Sequence, residues 1–129
     1  MHAVDTNILV RLITKDDVAQ AKRAHDLFSK GAVFISKTVL LETEWVLRYV
    51  YALEQSTILH ALRGILGLPN VDVEDPLVVS QSLDWVEKGL DFADALHVAS
   101  SQDAQKISTF DAALQKKARS IMAMTVELF

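Results

Sequence analysis

The chain has 129 residues, of which 50% are hydrophobic and 23% charged, with four glycines, two prolines and no cysteine. This is length enough for one domain with a proper core, residues 1–129, and a composition that excludes low-complexity or disordered character; the missing cysteines exclude disulfides, zinc–thiolate sites and thiol nucleophiles. A net charge of −4 argues against a broad basic surface of the kind that grips nucleic acid without specificity.

In chain order, short β-type runs alternate with helical stretches. "HAVD" opens the chain as a strand ending at Asp5, and "DVAQAKRAHDLFSKG" is a helix with Val18, Ala21, Ala24 or His25, and Phe28 on one face and Gly31 as its stop. "AVFIS" at 32–36 is the second strand. Two helices follow, "KTVLLETEWVLRYVYAL" and "QSTILHALRGILGL", the latter with a stripe of Ile58, Leu62, Ile65 and Leu66. After the strand "VDVE" at 71–74, "DPLVVSQSLDWVEKG" begins with Asp-Pro, a helix start, and ends in glycine. "GLDFADALHVAS" carries Phe92, Ala95, Leu96 and Ala99 at i, i+3, i+4 and i+7, one apolar helical face with Asp94 at its margin. "KIST" at 106–109 and "TVEL" at 125–128 complete five expected strands. The alternation predicts an α/β fold of three layers, α/β/α, around a mainly parallel sheet of about five strands, with ligands at the carboxyl ends of those strands. The start lacks a basic leader and no apolar run approaches the roughly 20 residues of a membrane span, so a soluble cytoplasmic protein without a membrane partner is expected.

Several acids fall where ligands collect. Asp5 closes the first strand and Asp111 follows the fourth; each is also a reasonable N-cap for the helix that follows, as Asp91 is for its own helix, with Asp94 in the first turn favoured by the helix dipole. Glu42 shares a helical face with Val39, Trp45, Val46 and Tyr49, which predicts a carboxylate on a packed surface with no local partner. Glu44, by contrast, has Arg48 four residues on and reads as a surface ion pair. A carboxylate on an apolar face costs several kcal/mol, in order of magnitude, unless it is paired, protonated or bound to metal. Gathered acids would repel one another unless a divalent cation neutralised them, and oxygen ligands without sulfur favour Mg²⁺ or Mn²⁺.

Four motifs, "VDTNILVRL", "LLETEWVLR", "FADALHVAS" and "STFDAAL", in this order and spacing, resemble the PIN-domain ribonucleases, and among them the VapC-type toxins of toxin–antitoxin pairs. The resemblance runs nearly end to end. It implies that Asp5, Glu42, Asp94 and Asp111 are metal-binding catalytic acids, with Thr6, Asn7 and Thr109 as supporting polar groups and Asp91 as a helix cap or supporting acid. His97 has no place in that set and is expected to be a partly buried, satisfied histidine. The implied activity is Mg²⁺- or Mn²⁺-dependent hydrolysis of RNA phosphodiesters, and the implied partners are an RNA substrate, a cognate antitoxin and a second copy of the chain. Tyr49, Val50, Tyr51 and the Ile58–Leu66 stripe are the expected homodimer surface. Lys116, Lys117 and Arg119 form a basic cluster that suits a solvated helix face or contact with an RNA backbone. Two alternatives remain open at this point: a non-catalytic PIN-like binding module, and a phosphoacceptor receiver-like domain. The latter would place adjacent acids after the first strand, where this chain has Thr6 and Asn7.

Overall fold

The computed structural model describes all residues, 1–129. The chain divides into two compact units, Met1–Asp75 and Pro76–Phe129. The first contains β1 (His2–Ala3), α1 (Thr6–Thr14), α2 (Val18–Lys30), β2 (Val33–Ile35), α3 (Lys37–Tyr49), α4 (Gln55–Leu66) and β3 (Val71–Val73). The second contains α5 (Pro76–Glu87), α6 (Phe92–Ala99), β4 (Lys106–Thr109), α7 (Ala112–Ile121) and β5 (Thr125–Leu128). All five expected strands form and every pairing is parallel. In the first unit β2 lies between β1 and β3, with His2 opposite Val33 and Val33 opposite Val71; in the second, β4 pairs with β5, Lys106 opposite Thr125. Parallel neighbours need crossovers, and helices supply them, which is why helices and strands alternate as the sequence suggests. No helix is long and apolar enough to cross a membrane.

In the first unit α1 packs on α2 and α3, and α4 packs on α3 and β3. Val33 and Ile35, the two inward residues of β2, are buried together with Leu9, Leu40, Leu47, Ile58 and Leu62. Beyond the core, the Asn70 amide donates to the carbonyls of Phe28 (2.5 Å) and Gly31 (2.8 Å), fixing the end of α2 against the entry to β3. A polar cluster ties the α1–α2 connection to the end of α3: the Tyr51 hydroxyl donates to Asp16 (2.6 Å) and accepts from Arg11 (2.9 Å), which also pairs with Asp16. The Tyr51 hydrogen bond holds the Asp16 carboxyl below its usual range. In the second unit α5 packs on α6, and α7 on both strands. After α5 the chain reverses at Gly89, whose φ of 110° lies in the region that glycine adopts without a steric penalty.

Several sequence expectations are corrected by this packing. Val18 is 82% exposed, because it is the first residue of α2 and only Ala21, Ala24 and Phe28 of its stripe reach the core. Gly31 does stop α2, in an extended conformation. On α3 the buried stripe is Leu40, Thr43, Glu44 and Leu47, rotated from the face expected to be packed; Trp45, Tyr49 and Glu42 are exposed instead. Glu44 does pair with Arg48, at 3.0 Å, but it is a buried carboxylate, only 5% exposed, and not a surface one. Ile58, Leu62 and Ile65 of α4 are core, so most of the stripe assigned to a dimer surface is already covered within the chain, and Tyr51 is committed to the Arg11–Asp16 cluster.

Candidate active site

Three of the candidate acids, Asp5, Asp91 and Asp111, are positioned as caps at helix starts. Asp5 follows β1 and caps α1, its Oδ1 accepting from the Ile8 N–H at 3.2 Å. Asp91 caps α6 through the Ala93 N–H at 3.1 Å, and Asp111 caps α7 through the N–H groups of Ala113 (2.9 Å) and Leu114 (3.1 Å). The capping role weighed for these aspartates is therefore real. It does not exhaust them: both Asp111 bonds go to Oδ1, and the Asp5 bond also uses Oδ1, which leaves Oδ2 of each free to meet a cation. Asp17 caps α2 through the Gln20 N–H in the same way, beside Asp16, whose carboxylate is taken up by Tyr51 and Arg11.

Glu42 has a partner that lies 36 residues away. The Thr6 hydroxyl donates to Glu42 Oε1, and Thr6 is itself buried, at 7% exposure, at the first turn of α1. The carboxylate thus stands at the surface with a donor behind it, not stranded on a packed face. Thr6 supports Glu42, and Asn7 stands exposed beside Asp5. Asp5, Asn7, Ile8, Arg11, Gln20 and Arg23 line a cleft of about 550 Å³ beside α1 and α2. Arg11 is occupied by Asp16, Gln20 and Tyr51, so Arg23 is the cation there that faces solvent.

In the second unit the acids are crowded. Asp94 occupies the first turn of α6 and is partly buried. Desolvation first, then the charges of Asp91 and Asp111, push its carboxyl above the usual range, against a smaller opposing pull from His97 and Lys117. Thr109 organises the neighbourhood, its hydroxyl accepting the Asp111 N–H at 3.0 Å. His97, expected to be partly buried, is exposed; its place on the helix faces away from the Ala95–Leu96–Ala99 stripe. Lys117 was not singled out from Lys116 and Arg119 by sequence, since nothing local shows that α7 brings its charge within reach of Asp94.

No group of three or more His, Asp or Glu side chains is arranged to hold a metal ion. The fit to a divalent cation rests on donor chemistry: hard carboxylate and hydroxyl oxygens throughout, and in Asp94 a desolvated carboxyl whose charge its neighbours oppose and a cation would favour.

The family model of the PIN domain matches residues 3–120. No curated protein matches the chain. Among solved structures it is similar to VapC20 of Mycobacterium tuberculosis, described as a sarcin–ricin loop cleaving toxin, with 21% identity over 95% of this chain and 97% of that one and a TM-score of 0.45.

Proposed function

The chain belongs to the PIN-domain family, and from that premise we propose that it is a divalent-metal-dependent ribonuclease, the toxin of a VapBC-type toxin–antitoxin module, with residues 1–129 acting as one domain. The observation that carries the reading is the crowding of Asp91, Asp94 and Asp111, with Asp94 held desolvated among like charges. The like charges around Asp94 cost stability in the absence of a cation, and carboxylates grouped in this way suit metal-assisted hydrolysis of phosphodiesters. The four motifs quoted above support the narrower VapC-type reading.

In this proposal Asp5 and Glu42 of the first unit, and Asp94 and Asp111 of the second, are the metal-binding acids that would take Mg²⁺ or Mn²⁺. Bound there, the cation supplies positive charge to the scissile phosphate and acidity to a water molecule, so no protein nucleophile is needed. The rest is done by the chain's own groups. Helix caps fix Asp5 and Asp111 by one oxygen each and orient the other. Thr6 orients Glu42 through its hydrogen bond, and Thr109 holds the Asp111 backbone. Asp91 caps α6 and adds negative charge that opposes the ionised form of Asp94 and that a bound cation would offset. Arg23, at the Asp5 cleft, meets the phosphates of the RNA strand.

The proposed partners are the RNA substrate, an antitoxin that presents a basic side chain to the acids in place of metal, and a second copy of the chain. For the homodimer, Tyr49 and Val50 of the surface expected from sequence remain exposed and are joined by Trp45, whose ring centroid lies 5.4 Å from that of Tyr49. The proposed compartment is the cytoplasm.

Purified protein should cleave RNA with Mg²⁺ or Mn²⁺, lose that activity in EDTA, and be inactive but folded as Asp5→Asn or Asp94→Asn. Metal-independent cleavage, or full activity in both variants, would overturn the proposal; binding without cleavage would make the chain a non-catalytic PIN-like module.

A further inference from the structure

Two of the most exposed large apolar side chains of the second unit stand together beside Asp111. Phe110, between β4 and α7, is 84% exposed, and Phe129, just after β5, is 77% exposed. Their ring centroids are 6.0 Å apart and the ring planes cross at 83°, an edge-to-face pair. The pairing of β4 with β5 sets this contact, and the Phe129 N–H donates to the Thr109 carbonyl at 2.8 Å, fixing the backbone on both sides. In an edge-to-face pair only one ring offers its face to the other, so aromatic surface remains open to a third planar group.

The surroundings of the pair are polar. Thr109 and Asp111 flank Phe110 in the chain, and the Lys106–Glu127 ion pair bridges β4 and β5 alongside. A protein partner generally covers a broader apolar patch than two isolated rings among charges. An unpaired nucleobase needs only an aromatic face, with a cation near for the attached phosphate. Lys117 supplies such a cation: it is exposed on α7, the helix that starts directly after Phe110 and its cap Asp111.

We propose that Phe110, braced edge-on by Phe129, is a stacking platform for an unpaired base of the RNA, and that Lys117 meets a phosphate of the same strand. The proposal rests on the ribonuclease reading for its substrate class. It places a base immediately beside Asp111, and so makes Phe110 a positioning residue for the scissile bond and a determinant of preference for unpaired RNA over duplex.

The test uses single-stranded RNA carrying 2-aminopurine near the cleavage site, whose fluorescence is quenched by stacking. Binding is read with Asp94→Asn protein, alone and combined with Phe110→Ala, Phe110→Trp or Lys117→Ala, and cleavage is read with the same three substitutions in wild-type background. Phe110→Ala should raise KM and Kd roughly 5- to 100-fold, the range of base–aromatic stacking, with little change in kcat and loss of the quench. Phe110→Trp should restore both, and Lys117→Ala should weaken binding with a shallower salt dependence while the quench remains. Because the ring is exposed, all variants should keep the wild-type circular dichroism spectrum. An unchanged Kd and quench in Phe110→Ala would overturn the platform and leave the ring pair to a protein partner; so would a loss that tryptophan does not restore. Failure of the ribonuclease reading looks different: wild-type protein would leave the RNA intact with Mg²⁺ or Mn²⁺ while the quench and its loss in Phe110→Ala persist. RNA that neither binds nor is cut would overturn both.

Discussion

The candidate carboxylates of the first unit and Asp94 of the second live under opposite conditions. Asp5 and Glu42 each accept a hydrogen bond from a donor placed for them, the Ile8 N–H and the Thr6 hydroxyl, and Glu44 is buried against Arg48. In the second unit Asp94 is partly buried, and burial together with the charges of Asp91 and Asp111 raises its carboxyl above the usual range. A satisfied acid contributes to the fold; a crowded one is tolerated by it. The difference locates where a cation has most to gain, because neutralising a carboxylate that already has its donor relieves little, and neutralising a crowded one relieves repulsion and desolvation together.

The largest expected effect is on cleavage. Asp94→Asn should lower kcat by at least ~100-fold, the scale on which loss of one preorganised charge is felt in an active site, and Asp5→Asn should do the same. The two should part on stability. In EDTA, Asp94→Asn should melt above wild type because the crowded charge is gone, and Asp5→Asn should melt with wild type because asparagine caps a helix as well as aspartate does. Equal shifts in thermal melts of the two variants would erase the contrast between the units.

The same contrast has a pH signature. Because the folded-state pKa of Asp94 is raised, its protonated form favours the fold: that contribution is complete below the unfolded value near 3.8 and is lost as pH rises through the folded value. The melting temperature of metal-free wild type should therefore fall behind Asp94→Asn as pH climbs from acid to neutral, and the two should converge near pH 4. A gap that widens on acidification would contradict the assignment.

Within the first unit, Glu44 and Glu42 sharpen the comparison. Glu44→Gln leaves Arg48 facing a neutral amide in a buried site and should cost roughly 1–3 kcal/mol in urea unfolding, below the full penalty of breaking a buried pair because Arg48 is partly exposed. Glu42→Gln should change stability little, since an exposed glutamine still accepts from Thr6, yet should lower cleavage roughly 10- to 100-fold as the loss of a metal-supporting group does. The smallest effect belongs to Thr43, fully buried in the same stripe with a hydroxyl that has no hydrogen-bond partner. Replacing it by isosteric valine removes that orphan, and Thr43→Val should raise stability by about 1 kcal/mol. A loss instead would mean that a water molecule serves the hydroxyl.

What the sequence determined by itself is what is local along the chain. The five strands, the helices between them, the caps at Asp5, Asp91 and Asp111 and the Glu44–Arg48 pair follow from period, stop signals and i, i+4 spacing, which act within a turn or two of the residues concerned. Tertiary structure decided the rest. On α3 the residues 39, 42, 46 and 49 and the residues 40, 43, 44 and 47 both recur at helical spacing, about one residue of rotation apart, so periodicity alone does not choose between them. Packing of α1 and α4 on α3 chose the second, burying Glu44 and Thr43 and turning Glu42 outward to Thr6, 36 residues away in sequence. The exposure of Phe110 and Phe129 and the reach of Lys117 toward Asp94 belong to the same class, since each depends on how β4, β5 and α7 pack and no local signal carries it.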